Sequence, residues 1–186
     1  MGLRRGFKSE ANWYARSLRQ ELGLAPYSPL CPWKLAQHLE FLVLPLAAFA
    51  EIHPQEVAYF HEKKGQAEFS AVTLCKGPNR LIIHNDAHHR KRQAANIAHE
   101  LSHGILNHPS KPLLNEAGAR HYDPAIEEEA NWLGPALLIS EEAALLIVER
   151  KYSLAHASDL YGASEEVVRM RLNVTGAYRR SKQKAA

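Results

Sequence analysis

The chain has 186 residues, 46% of them hydrophobic and 23% charged, with a net charge of +3. That length is ordinary for one domain and buries a core without staples, and the composition excludes disorder as the main state and collagen-like or low-complexity repeats. The charge is too small to demand a nucleic-acid partner.

The two cysteines, Cys31 and Cys75, make no framework and no CxxC pair. The expectation is a reduced, cytoplasmic protein in which Cys31 packs. The longest apolar run, from Phe41 to Ala50, contains Pro45 and is too short to span a bilayer. The N-terminus has charges but no apolar stretch behind them, so no signal peptide is expected. Histidine is the outlier, at 11 residues, seven of them from His84 to His121.

In chain order, 9–24 reads as a helix with Ser9 as N-cap and Trp13, Leu18 and Leu22 as an apolar stripe. A proline-rich loop follows, then a short helix from Pro32 to Glu40. Phe41 to Leu44 reads as a buried strand. Val57 to His61, Glu68 to Leu74 and Arg80 to His84 are further strand candidates, broken by Lys63-Lys64-Gly65 and Lys76-Gly77-Pro78-Asn79. From Asp86 the period becomes helical, with one helix over 88–107 whose first turn, His88 to Arg92, reads as solvated. Asn107 and His108 read as its end, and a polar loop runs to Tyr122. Asp123-Pro124 opens a second long helix, which Pro135 should kink or break. Ser140 caps the next helix, over 141–151. Helices over 153–161 and 165–173 follow, joined at Gly162, and the basic tail from Arg179 reads as frayed.

Residues 99–103 read His-Glu-Leu-Ser-His. On a helix, i and i+4 share a face, so His99 and His103 can hold one metal ion. Glu100 lies roughly 100° around from His99, where a carboxylate can take a proton from an activated water. The core stripe of this helix is Ala94, Ala98, Leu101 and Ile105, roughly 140° away from the histidines. The histidines therefore face water or a cleft.

The second long helix repeats such a stripe with Ile126, Ala130, Leu133 and Leu137. Glu127 and Asn131 lie together beside it, so Glu127 is the candidate third ligand and Asn131 a candidate orienting group. Glu128 and Glu129 compete with Glu127, although they also read as a solvated acidic first turn. His121 and Tyr122 are candidates to stabilise an oxyanion.

These residues, in this order, resemble the ImmA/IrrE family of zinc metallopeptidases. The resemblance rests on Phe69-Ser70-Ala71, the stretch 98–106 around the histidines, Glu127-Glu128-Glu129-Ala130-Asn131 with Leu137-Leu138-Ile139, and the segment 154–172. The chain departs from the family pattern at Leu133-Gly134, at Pro135 and at Ser140. The resemblance implies a small zincin-like α+β domain with a short antiparallel sheet, a histidine helix, a glutamate helix and a C-terminal helical segment. It implies one Zn2+ held by His99, His103 and Glu127. It also implies cleavage of a helix-turn-helix repressor.

The expected organisation is one domain over 1–186. It comprises a helical segment over 1–40, a core over 41–150, a helix pair over 151–178 and a basic tail over 179–186. Arg169, Arg171 and the basic tail raise nucleic-acid binding as an alternative, but Val167, Val168 and Leu172 need a protein surface to pack on. The expected function is zinc-dependent endopeptidase, with Glu100 as the base. The alternative is a regulatory binding protein that keeps the fold without the chemistry.

Overall fold

Proline and serine fix most of the helix starts. The computed structural model describes residues 2–109 and 123–184. Proline stands in the first turn of α2 (Pro32–His38), α3 (Pro54–His61) and α6 (Pro124–Leu138), where its missing N–H costs nothing. Serine side chains cap α7 (Glu141–Glu149), α8 (Leu154–Tyr161) and α9 (Glu165–Val174). Each accepts a backbone N–H that the helix leaves orphaned. The remaining helices are α1 (Phe7–Glu21), α4 (Lys63–Glu68), α5 (Arg90–Ile105) and α10 (Ala177–Lys184), with a 3-10 turn at Leu46–Phe49.

Three strands, β1 (Phe41–Pro45), β2 (Ala71–Lys76) and β3 (Asn79–His84), form a sheet in the order β1-β3-β2. β2 and β3 make an antiparallel hairpin, but β1 runs parallel to β3, with Val43 opposite Ile82. The expected all-antiparallel sheet is thus corrected to a mixed one. The reason is the β1–β2 connection, which holds helices and so lets the chain cross over.

Other expectations on this stretch also change. Val57 to His61 is the body of α3, because Pro54 starts a helix there. Lys63-Lys64-Gly65 is not a break but the start of α4. Gly65 is required in it, since a Cβ would collide with the Tyr59 carbonyl. The strand expected at Glu68 begins at Ala71.

At the N-terminus, the cap is Gly6 at φ 85°, not Ser9, and the buried face of α1 is Phe7, Ala11, Ala15 and Leu18. Trp13, expected in the stripe, is exposed, and so is Cys31. His88 is not solvated: it is buried, and its ring pairs with the Gln66 carbonyl at 3.0 Å. The tail from Arg179 is helical, and Lys184 pairs with Glu149 at 3.0 Å while Arg180 pairs with Glu141.

Two apolar clusters flank the central pair α5 and α6. Phe7, Leu18, Leu35, Ile82, Ile97, Leu101, Leu133 and Leu137 belong to one. Ala98, Leu138, Ile139, Ile147, Val168 and Leu172 belong to the other. Helix α6 passes through Pro135 without breaking, and its terminal carbonyls are met by two buried arginines. Arg19 donates to Leu137 O at 2.8 Å, and Arg171 donates to Ile139 O at 2.9 Å. A helix C-terminus favours cations, yet burial pushes both guanidinium groups down to about 10. Arg171 is therefore spent inside the protein. Among the described residues, no single helix is long and apolar enough to cross a membrane.

Candidate metal centre

The site is built where α5 and α6 touch. Gly134 makes the approach possible, since a Cβ there would sit 3.2 Å from the backbone N and Cα of His99. On the other side of α5, Gly104 leaves room for the ring of Phe41 from β1. Helix α5 is thereby clamped between the sheet and α6 at the level of its two histidines.

His99 and His103 present their Nε2 atoms to each other at 3.1 Å. Glu127 reaches over from α6, with Oε2 at 3.4 Å from His99 Nε2 and Oε1 at 3.7 Å from His103 Nε2. Four ligands at zinc-like bond lengths, arranged as a tetrahedron, stand about 3.3 Å apart. The three donors lie near that spacing, and they form a group able to hold a metal ion. The donor chemistry, two imidazoles and one carboxylate, suits a divalent ion with an open fourth position. Glu127, of the three competing glutamates, is the one the fold brings to the histidines.

Glu100 is buried at 8% exposure beside these donors, on the wall of a cleft of about 920 Å3. Its Oε2 accepts a hydrogen bond from Thr73 Oγ1 at 2.6 Å. Thr73 belongs to β2, an edge strand among the described residues, whose residues 71–75 run along the same cleft. The carboxylate is therefore fixed from the sheet side while its helix holds the metal donors. Asn131 lines the cleft one turn on from Glu127. His121 and Tyr122 lie outside the described residues.

Three residues in and around the site are missed by sequence reasoning. Thr73 is one, because strand alternation does not tell which helix a side chain will face. The others are His108 and Glu129. Helix α5 ends with Asn107 in the left-handed region at φ 51°. The N–H of Asn107 bonds Gly104 O at 3.0 Å, and that of His108 bonds His103 O at 2.9 Å. This double closure is a Schellman end, and it folds His108 back over His103. His108 Nδ1 lies 3.0 Å from His103 Nδ1, and its Nε2 lies 3.3 Å from Glu129 Oε2. Glu129, read from sequence as solvated, is instead half enclosed and held by Arg4 Nε at 2.7 Å. The available signal is the Asn-His pair after an apolar turn, which marks a helix end that turns back.

A family model described as the IrrE N-terminal-like domain, a peptidase family, matches residues 43–173. No curated protein and no solved structure matches the chain in the same comparisons.

Proposed function

Because the chain belongs to the IrrE N-terminal-like peptidase family, we propose that it is a zinc-dependent endopeptidase with regulatory substrates. The supporting observation is the spacing of 3.1 to 3.7 Å among His99, His103 and Glu127, with the Glu100 carboxylate held beside them. His99, His103 and Glu127 would hold the ion. When bound, zinc polarises a scissile carbonyl and acidifies water.

The chain's own residues supply the rest. Glu100 accepts the proton of the attacking water and delivers it to the leaving amine. Thr73 keeps one carboxylate oxygen engaged, which leaves the other for that proton. Among the described residues β2 is an edge strand beside the site, a position where an extended peptide can add as a further strand.

The substrate we favour is a helix-turn-helix repressor, on the strength of the resemblance. Docking of a folded protein is assigned to 153–178, where Leu160, Val174 and Tyr178 are exposed apolar groups. The basic tail beside it is partly engaged with Glu141 and Glu149, which favours a protein over a nucleic-acid partner.

Two variants test the chemistry. His103→Ala should lose most of the zinc that the purified protein carries, by metal analysis. Glu100→Gln should keep the zinc and the fold and lose peptide cleavage. Full cleavage by Glu100→Gln would remove Glu100 from the mechanism, and equal zinc in His103→Ala would remove the ligand set. Rapid, unselective digestion of casein would overturn the regulatory reading, and metal binding without cleavage of any repressor would favour a non-catalytic binder.

A further inference from the structure

The proposed ligand set leaves one ring nitrogen of His103 facing away from the metal, and that nitrogen is where His108 sits. His103 Nε2 faces His99 and Glu127, so Nδ1 must carry the proton when Nε2 binds an ion. The acceptor for that proton is His108 Nδ1 at 3.0 Å. A His108 that accepts at Nδ1 carries its own proton at Nε2, which points at Glu129 Oε2 at 3.3 Å. The tautomers of both rings are thus mutually consistent, and each N–H finds an acceptor.

The row continues to the N-terminus. Glu129 Oε1 accepts from Arg4 Nε at 2.7 Å, and Arg4 is steadied by Glu10 Oε1 at 2.8 Å. The His108 side chain is 8% exposed and that of Glu129 is 15% exposed, whereas Arg4 is 51% exposed. The inner two members are therefore shielded from water, and the outermost is not. Arg4 and Glu10 lie outside the family match, which begins at residue 43.

We propose that His108 and Glu129, anchored by Arg4, are positioning residues that orient His103 and set how tightly the metal is held, so that the N-terminal segment tunes the metal centre. This rests on the reading that His99, His103 and Glu127 bind a metal ion. Outer-shell partners of ligating histidines are typically worth about 10–100-fold in metal affinity. The inner pair should carry most of that effect, and Arg4, being exposed, a smaller share.

The test is titration of metal-stripped protein with Co2+, followed by its visible absorption, with Zn2+ competition for the dissociation constant. His108→Leu keeps bulk and removes the acceptor. It should weaken binding about 10–100-fold and alter the cobalt spectrum. His108→Asn returns an acceptor and should fall between Leu and wild type. Glu129→Gln, a near-isosteric change, should weaken binding in the same direction with the melting curve checked alongside, and Glu128→Gln on the same turn should not. Wild-type affinity and an unchanged spectrum in both His108→Leu and Glu129→Gln would overturn the proposal while leaving the metal site standing. Failure of the wild-type protein to take up Co2+ or Zn2+ would overturn both.

Discussion

At the scale of single residues, the contact that most directly concerns the chemistry is the one from Thr73 to Glu100. A hydrogen bond to a charged group is worth about 1.5–3 kcal/mol, and here it holds in place the carboxylate proposed as the base. Thr73→Val keeps the β-branched shape that suits a strand and deletes the donor. It should lower kcat about 10-fold, the equivalent of about 1.4 kcal/mol, with zinc content unchanged, and Thr73→Ser should restore the rate. Equal kcat in Thr73→Val and wild type would show that Glu100 is positioned without it. The residues legible in sequence were those whose spacing is set inside one helix: His99, Glu100 and His103. Glu127 was legible as the favoured of three glutamates, from its place beside Asn131 and from the resemblance, and packing is what brings it to the histidines. Thr73, His108 and Glu129 meet their partners through tertiary contacts or a reversed helix end, which no local period records.

At the scale of elements, the glutamate helix shows how a local rule can be outweighed. Pro135 forfeits one bond in α6, yet the helix continues to Leu138. Burial of Leu133, Leu137 and Leu138 on its two flanks, with Arg19 and Arg171 on its last carbonyls, offsets the loss. The sequence departure at Leu133-Gly134 has a similar origin, because Gly134 is the point where α6 lies on the backbone of His99. Gly134→Ala should push the helices apart by a few tenths of an ångström. Overpacking of this kind typically costs about 1–3 kcal/mol. It should lower the melting temperature and weaken zinc binding together, since Glu127 and the histidines ride on opposite sides of that contact. A variant that melts lower but binds zinc as before would separate the two. The periods of α5, α6, α8 and α9 were legible because each has an apolar stripe at helical spacing or a serine cap. α3 was misread as a strand because it is short and buries only Val57, so Pro54 was its clearest marker.

At the scale of the whole molecule, the helices that carry His99, His103 and Glu127 pack against parts of the chain that the family match does not include. Phe7, Ala11, Leu18, Leu30, Leu35 and Ala36 are at most 5% exposed and pack with Ile97, Leu101, Leu133 and Leu137. Arg19, which meets the end of α6, comes from the same segment. The match begins at residue 43, inside β1, whose pairing with β3 spans Phe41 to Pro45. A protein limited to 43–173 would bare that apolar surface and sever a strand. It should therefore bind a hydrophobic dye and lose its near-ultraviolet circular dichroism, as loosely packed states do. A cooperative melt from that fragment would show that the core closes without α1 and α2. The buried face of α1 also shapes how mutation would be felt. In a genetic screen scored only by loss of cleavage, inactivating alleles should map to Phe7, Ala11 and Ala15 as well as to the histidines. A map of such alleles would draw the boundary of the working unit well upstream of the segment that names its family.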